Sequence, residues 1–492
     1  MIAEGALPHV AFLAVYLAAL IGVGAYKARS VKTQEDFSLA GRGLSSTVLV
    51  GTLLATWIGT GSIFGNAEET YGVGVAAFLL PVSGGLGILA LYFIAPRIRG
   101  FGQFTIQDVL EARFGPAARV LGTVTLLAAY VIIVSYQYRA GAAVLEGLLP
   151  GLGHVGAVVL VAGFVILYTA LAGMFSVAYT DVANGVLMAV GVALALPLLI
   201  SQAGGIESAV AALEPGQQSL FGHYSAAGLA SILLPAFLLL VGDANMAQRF
   251  YSARDPGSAR RSVMWMFVGV LFLECAIILV ALLGRSLVAQ GQIEAPENPG
   301  HIVIHLAFEA LPPALGALLV GTAVAIVVST ADSYLLSPST SLVRDVYQRF
   351  VAPDASEQRT VLAGRIFVVV LGLIALALAF TSDAFFGVAL FAYTIYGAGV
   401  TPALLAAYFW KRATPAGAIA SMLVGAGTAV AWKLATGAAA IEWMEEVGLG
   451  SLADLSEQAA EAGIDAVIPA AALSVVALVG VSLCTRPRPA TD

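Results

Sequence analysis

Residues Ile326 to Ser333 read Ile-Val-Val-Ser-Thr-Ala-Asp-Ser and lie in an apolar stretch, 312–344, that is long enough to cross a membrane. Ser329, Asp332 and Ser333 follow a spacing of i, i+3 and i+4, which places them on one face of a helix. Small polar residues also form hydrogen bonds between membrane helices, which is the alternative explanation. Acidic residues inside the membrane mark functional sites by default, so Asp332 favours a site for a small cation.

The composition is that of a membrane protein with many spans. Of 492 residues, 59% are hydrophobic and 11% are charged, whereas soluble proteins contain about 25% charged residues. The two cysteines form no disulfide or metal pattern. The sequence has no Walker A loop and no nucleic-acid-binding motif. We therefore predict an all-α polytopic membrane protein that is not an enzyme.

Thirteen apolar segments are long enough to span a bilayer. Most of the Lys and Arg residues fall in cytoplasmic loops and helix ends, Arg249 and Arg488 among them, if the N-terminus lies outside and the C-terminus in the cytoplasm. The long outer loop 436–465 is acidic and reads as a short amphipathic surface helix. The predicted spans are 7–27, 46–71, 75–96, 117–147, 154–174, 176–201, 226–250, 261–289, 312–344, 359–381, 384–410, 414–435 and 466–485.

Two of the predicted spans are interrupted by glycine and polar residues. The second contains Gly59 and Gly61, and the seventh contains the run from Gly242 to Asn245. Glycine weakens a helix by about 1 kcal/mol relative to alanine. Unwound backbone inside a membrane occurs where it lines a binding cavity, although close packing of small residues is the alternative for the second span. We predict two broken helices around a midplane site.

The corresponding positions of the two breaks predict two inverted repeats of five helices each. An N-terminal extra helix with a cytoplasmic loop precedes them, and two C-terminal helices with an acidic external loop follow. No appended soluble domain and no obligate protein partner are indicated. The predicted regions are 1–45, 46–201 (first repeat), 202–225 (external loop), 226–410 (second repeat) and 411–492.

Other ionisable residues also lie inside predicted spans. Asp181 sits just inside the sixth span, where the helix dipole also favours an acid. Glu274 lies mid-span, and we expect a packing hydrogen bond there by default. Arg139 is expected to pair with Glu146 or with the acids at 68–69 near the outer rim.

Five stretches of the chain are similar to those of one known family. They are Asp-Phe-Ser-Leu-Ala-Gly-Arg at 36–42, the segment 55–68, the segment 168–181, Gln-Arg-Phe at 248–250, and the segment 329–347 ending in Arg-Asp-Val-Tyr. Together they resemble the sodium:solute symporter family, and the resemblance runs from about residue 36 to residue 412. The segments 56–59 and 329–333 look closest to its choline-transporter-like branch. The family fold implies the same five-plus-five inverted repeat that the two breaks predict.

The resemblance implies a shared sodium site made of three main-chain carbonyls and two hydroxyls. Some members of the family have a second sodium site. Here its positions include an acid, Asp332, in place of a hydroxyl, which leaves the charge and the sodium stoichiometry open. The shared site falls on the carbonyls of Ala55, Ile58 and Ile326 and the hydroxyls of Ser329 and Thr330, and the second site on Asp181, Ser329, Asp332 and Ser333.

The resemblance implies the solute-binding residues less completely than the sodium ligands. Trp57 matches one aromatic position of the cage that holds a quaternary ammonium in the choline-transporter branch. Asp243 stands where that branch has a second aromatic residue, so the cage is incomplete and choline is not predicted. An acid there can pair with an amine or accept from a hydroxyl. The predicted solute-binding residues are Trp57, Gly61, Ser62, Asp243 and Asn245.

These features predict a sodium-coupled symporter of the plasma membrane that imports a small polar organic solute by alternating access. Its predicted partners are the solute, Na+ and the lipid bilayer. Proton coupling through Asp181 or Asp332 is an alternative within transport. A transporter-like sensor that binds solute and signals to a partner is an alternative of another class.

Overall fold

The computed structural model describes residues 6–29, 31–381, 385–446 and 449–486. The predicted cytoplasmic Arg488 lies outside the described residues. The described part is helical and contains no β-strand, apart from one isolated bridge between Leu44 and Ala253. It divides into two compact units, the first made of Met1–Phe104, Tyr130–His223 and Asn245–Ala389, and the second of Thr105–Ala129, Tyr224–Ala244 and Leu390–Asp492.

Twenty α-helices follow one another along the described chain. They are α1 (Leu7–Ala28), α2 (Gln34–Leu39), α3 (Ser46–Trp57), α4 (Asn66–Val73), α5 (Leu80–Phe101), α6 (Ile106–Phe114), α7 (Pro116–Leu148), α8 (Gly153–Gln202), α9 (Ile206–Ala211), α10 (Ala226–Gly242), α11 (Ala244–Ser252), α12 (Pro256–Ala289), α13 (Ile302–Glu309), α14 (Pro313–Ser341), α15 (Glu357–Leu378), α16 (Phe386–Phe409), α17 (Pro415–Ala435), α18 (Ala438–Glu446), α19 (Gly450–Glu461) and α20 (Val467–Cys484).

Twelve helical segments of the described chain are long and apolar enough to cross a membrane, where the sequence predicts thirteen. The difference comes from the predicted span 46–71. Its first part, α3, has only 12 residues before the chain breaks. The part after the break runs on from Gly61 into α5 as one long segment. The break that the glycines predict therefore also changes the number of helices that meet the length criterion.

The helix α8 contains the fifth and sixth predicted spans, joined at Gly173. This residue has φ 60° and ψ 178°, so the two spanning segments meet at a kink rather than in one straight helix. Only glycine adopts this backbone region without strain. A Cβ atom at this position would also lie 2.8 Å from the ring of Phe37.

The helix α14 forms the centre of the first unit. It packs against α8, α1 and α3, while α12 packs against α5 and α3. Residues 319–341 of α14 are buried without interruption. The polar run 329–333 therefore lies in the interior, where each of its polar atoms needs a partner or a ligand.

The second unit is held by a close helix pair, α17 and α20. Gly417 lets the two backbones approach, because a Cβ atom there would lie 2.0 Å from Ser482 Oγ on α20. Gly425 lets α17 approach α16, because a Cβ atom there would lie 2.1 Å from the carbonyl oxygen of Ala398. Such contacts between small residues are typical of membrane helices. The segment 436–465, which the sequence predicts to lie outside, contains two helices, α18 and α19, where the sequence predicts one.

One face of α15 indicates contact with a lipid bilayer. Leu362, Ile366, Leu373 and Ile374 are each about half exposed, and they recur at helical spacing along one side. An apolar stripe of this length would be unfavourable in water. Together with the twelve long apolar segments, it supports a multi-pass membrane protein.

We predict that Gly173→Ala lowers the thermal unfolding temperature in detergent, because it strains the kink and presses on Phe37. An alanine where φ is positive costs roughly 1–3 kcal/mol. Gly163→Ala is the matched control, since Gly163 lies in the same helix and a Cβ atom added there would have no other atom within 4 Å. An unfolding temperature that is equal in both variants would contradict the kink geometry.

Candidate ion and solute sites

The predicted break in the second span is present at the end of α3. The helix stops at Trp57, and Ile58 takes an extended conformation with φ −71° and ψ 91°. The chain then resumes in a π-helical turn over Gly61–Gly65. Because the last carbonyls of a helix have no partner within it, the break frees main-chain oxygens in the interior.

Two hydroxyls of α14 face these free carbonyls. Ser329 Oγ donates toward the carbonyl oxygen of Ala55 at 3.0 Å and lies 3.2 Å from that of Ile326. Thr330 Oγ1 lies 3.5 Å from the carbonyl oxygen of Ile58. The five residues assigned to the shared sodium site by resemblance are thus brought together. They present only neutral oxygen atoms, which suits a monovalent hard cation.

Gly59 makes this approach possible. A Cβ atom at this position would lie 3.0 Å from both Cγ2 and Oγ1 of Thr330. The next residue, Thr60, donates its hydroxyl proton to Gln137 Oε1 on α7. The unwound segment is therefore in contact with two neighbouring helices, α14 through Ile58 and α7 through Thr60.

A second polar cluster surrounds the buried guanidinium group of Arg249 on α11. Its Nη2 donates to Ser333 Oγ at 2.6 Å and to Asp181 Oδ2 at 3.2 Å, and its Nε donates to Thr52 Oγ1 at 2.9 Å. Its Nη1 also donates to Asn245 Oδ1. These side chains are at most 1% exposed. The structure thus brings three of the four predicted second-site residues into one region, since Asp332 joins it through Ser333.

The cluster contains two carboxylates and one guanidinium group. Ser333 Oγ donates to Asp332 Oδ1 at 3.1 Å, and Thr52 donates to Asp181 Oδ2. Asp181 Oδ1 and Asp332 Oδ2 are buried and have no hydrogen-bond partner among the described residues. With both acids ionised, the net charge is −1 and two anionic oxygens are unpaired. Ser329 is bonded to main-chain carbonyls in the first site, and no bond joins it to either acid.

The position of Arg249 corrects a sequence expectation. The positive-inside pattern places it at a cytoplasmic helix end, but its side chain is 1% exposed and lies among acids and amides. The local signal that could have found it is Asn245, one helical turn earlier, which directs a polar face of α11 inward. Asn245 itself, predicted to bind solute, accepts a hydrogen bond from Arg249.

Three of the motifs that carry the family resemblance come together in the first unit, next to Arg249. Gln248 Nε2 donates to the carbonyl oxygen of Ser38 at 2.7 Å and to Thr340 Oγ1 at 3.2 Å. Thr340 Oγ1 in turn lies 3.1 Å from Ser38 Oγ. The motifs at 36–42, 248–250 and 329–347 therefore form one hydrogen-bonded junction between α2, α11 and α14.

Glu274 on α12 joins two of the predicted solute-binding residues. Its Oε1 accepts from the indole nitrogen of Trp57 at 3.0 Å and from Ser62 Oγ at 3.5 Å. The indole also packs on α5, where a Cβ atom at Gly84 would lie 3.2 Å from its nitrogen. Glu274 is 5% exposed. Sequence reasoning gave it only a packing role, although a mid-span acid is the signal that marks such sites.

The second predicted break, which belongs to the second unit, is also present. The helix α10 ends at Gly242, and Asp243 is extended with φ −62° and ψ 117°. Thr401 Oγ1 donates to the carbonyl oxygen of Leu238 at 2.7 Å, and a Cβ atom at Gly242 would lie 2.0 Å from that hydroxyl. Asp243 is 2% exposed. Its predicted position opposite Trp57 stays a prediction.

Arg139 lies beside a small cavity of about 180 Å³ in the first unit. Its guanidinium group stacks over the ring of Phe385, with 5.4 Å between the group and the ring centroid. Glu146, one of its expected partners, pairs with His154 at 2.7 Å. Burial lowers the pKa of His301, which lines the same cavity, so this imidazole is neutral at pH 7.

Solved structures with the same fold include a Na+-coupled symporter and a nucleobase-cation-symport-1 family transporter. A Na+-coupled sialic acid symporter, in a substrate-bound outward-open state, gives a TM-score of 0.81 at 18% identity, with 99% of each chain covered. Mhp1, a nucleobase-cation-symport-1 family transporter in a closed conformation with bromovinylhydantoin bound, gives 0.59 at 13% identity, with 91% of this chain and 95% of that chain covered. At these identities the likeness establishes the fold.

Sequence relatives include proline transporters. The chain is 28% identical to the high-affinity proline transporter PutP of Bacillus subtilis, over 84% of this chain and 89% of the relative. It is 27% identical to the sodium/proline symporter of Staphylococcus aureus, over 96% and 92%. The likeness to the choline-transporter-like branch stays a prediction. The family model of the sodium:solute symporters matches residues 37–425, and the chain belongs to this family.

Proposed function

We propose that this protein imports a small polar organic solute together with Na+ by alternating access. The observation that carries the proposal is the set of oxygens at the α3 break, where the hydroxyls of Ser329 and Thr330 face the carbonyls of Ala55 and Ile58. Family membership supports sodium as the coupling ion. The proline transporters among the relatives favour an amino-acid-like solute.

Sodium couples to transport because it bridges two elements. A bound ion would contact the end of α3 and the middle of α14 at once, and would hold the unwound segment in one arrangement. The conformation in which these oxygens converge is then favoured over one in which they separate. Coupling of this kind requires that the ion bind the two conformations with different affinities.

The residues around the α3 break offer a polar and aromatic surface for the solute. Trp57, Gly61 and Ser62 lie beside the break, and Glu274 adds a carboxylate that touches two of them. Asp243 and Asn245 lie at the second break in the chain. An acid in such a site matches a solute that carries an amine or several hydroxyls, because an unpaired buried carboxylate costs several kcal/mol.

A second cation would neutralise the cluster around Arg249. The unpaired oxygens of Asp181 and Asp332 carry the remaining negative charge, and Na+ between them would satisfy both. Arg249 already donates hydrogen bonds to Ser333 and Asp181 in this cluster. A proton shared by the two acids would balance the charge equally well, which makes proton coupling the second candidate mechanism.

We place the protein in the plasma membrane with its N-terminus outside and its C-terminus in the cytoplasm, on the distribution of Lys and Arg. Inward movement of each positive charge through a potential of 100 mV contributes about 2.3 kcal/mol. The number of cations carried per solute therefore sets the gradient that the transporter can sustain.

We expect Ser329→Ala and Thr330→Ala to raise the Na+ concentration for half-maximal uptake by about tenfold. Each variant removes one oxygen from the ion, and an interaction with a charged group contributes roughly 1.5 kcal/mol or more. The measurement is solute uptake into proteoliposomes against Na+ concentration. A Hill slope above one in the wild type would indicate the second ion.

Ser339→Ala is the control for this titration. Ser339 lies on the same helix and is fully buried, but its hydroxyl donates to the carbonyl oxygen of Gly364 on α15 at 2.7 Å. Its Na+ dependence should match that of the wild type. If Ser329→Ala and Thr330→Ala also leave the Na+ dependence unchanged, the sodium site lies elsewhere.

The charge balance of the cluster can be tested through Arg249→Gln. This variant leaves two buried carboxylates without their cation and should lower the free energy of unfolding by about 3–5 kcal/mol. Adding Asp332→Asn restores the net charge of −1 and should recover at least half of the decrease in the free energy of unfolding. Arg359→Gln, at an exposed arginine, is the control. Normal stability of Arg249→Gln alone would show that its charge has no structural role.

Recognition of an amine can be tested at the two acids of the proposed solute site. Asp243→Asn and Glu274→Gln should each weaken solute affinity far more than Na+ affinity, because each removes a charge and keeps the side-chain size. The measurement is a binding titration of purified protein with the best solute from a thermal-stabilisation screen. Unchanged solute affinity in both variants would remove the acids from the pocket.

A further inference from the structure

We propose that a groove between the amino-terminal halves of α3 and α12 binds an anionic phospholipid. The groove lies in the first unit and has a volume of about 780 Å³. It is separate from the α3 break and from the Arg249 cluster. Its occupant is independent of the transported solute, so the inference does not rest on the proposed function.

The polar end of the groove is cationic. Arg254 and Arg261 line it, together with the residues Ser45 to Thr47 that begin α3. Both arginines are exposed, and among the described residues neither guanidinium group forms a hydrogen bond or an ion pair. Their neighbours differ, since Arg99 donates to the carbonyl oxygen of Ala253 at 2.6 Å and Arg260 stacks over Tyr92.

One carboxylate also lines this end, and it is already engaged. Asp255 Oδ1 and Oδ2 accept from the backbone nitrogen and the hydroxyl of Ser258, at 2.8 and 2.7 Å. These bonds hold the pKa of Asp255 below its usual value and keep it anionic. With Arg254 and Arg261 the local charge is +1. One phosphodiester with a charge of −1 neutralises it.

The other end of the groove is apolar and exposed at the protein surface. Val50, Leu54, Trp265 and Val268 line it, and the last two are 64% and 53% exposed. Gly269 closes the floor, because a Cβ atom there would lie 2.7 Å from Leu54. From Pro256 to Gly269, α12 rises about 20 Å. The hydrocarbon layer of one leaflet is roughly 15 Å deep, so the groove is long enough to hold an acyl chain.

These two ends select among possible occupants. A free phosphate would use the arginines and leave the apolar walls exposed, whereas a zwitterionic lipid would use the walls but bring an ammonium group with its phosphate, so that the net charge of +1 would not be neutralised. An anionic phospholipid satisfies both, with its phosphate at Arg254 and Arg261 and an acyl chain along Trp265 and Val268. Basic residues at a membrane edge attract anionic lipids in this way.

The test uses the purified full-length protein in a neutral detergent. Phosphatidylglycerol should raise the melting temperature more than phosphatidylcholine with the same acyl chains, because a ligand of the native state stabilises it. Glycerol 3-phosphate at the same concentration should give no shift. Equal shifts with the two lipids, or an equal shift with glycerol 3-phosphate, would overturn the proposal, the latter in favour of a free-phosphate site.

Variants locate the effect in the groove. Arg254→Gln with Arg261→Gln should weaken phosphatidylglycerol binding about 25-fold, since each arginine near an anionic lipid contributes roughly fivefold. Arg359→Gln, at an exposed arginine outside the groove, should bind as the wild type does. Val268→Trp fills the apolar end and should lower the amount of phosphatidylglycerol retained in native mass spectrometry. Wild-type binding in both groove variants would refute the site.

Discussion

The buried guanidinium group of Arg249 is the constraint on which the interior of the first unit depends. Arginine does not lose its charge in proteins, so a fully buried one must be surrounded by acceptors. Here these come from α3 (Thr52), α8 (Asp181), α14 (Ser333) and the preceding turn of α11 (Asn245). Four helices are thereby fixed around one point. Any rearrangement of them must keep Arg249 paired or expose it to water.

The helix α14 connects this charged cluster to the α3 break. Ser329 and Thr330 face the carbonyls freed by the break, and Asp332 and Ser333, about one turn later, face Arg249. A small shift of α14 would therefore change both sites together, because side chains on adjacent turns of a helix move as one body. If the proposed sites bind two cations, or a cation and a proton, this is the physical route by which both would act on the same transition.

The local sequence predicts the helix breaks but not the contacts between residues that are far apart along the chain. Glycines beside polar residues in apolar spans predicted the ends of α3 and α10, because the cost of such residues in a helix is local. Three of the four partners of Arg249 lie 68, 84 and 197 residues away along the chain, and no spacing rule reports such distances. Because Arg249 lies near a predicted cytoplasmic loop, the sequence suggested that its side chain faces the cytoplasm. Glu274 was visible as a mid-span acid, yet its contact with Trp57 required the packing of α12 on α3.

The geometry at the α3 break would make the proposed ion site reversible. Ser329 Oγ has one proton, and three carbonyl oxygens lie within 3.2 Å of it. Without an ion it donates to one of them, and the carbonyl of Ala55 has no helical partner to replace it. A cation would satisfy the hydroxyl and the carbonyls together, but it must first break these internal hydrogen bonds. This competition lowers the net affinity for the ion, and neutral ligands lower it further. An ion that enters down its gradient can therefore be released on the other side of the membrane.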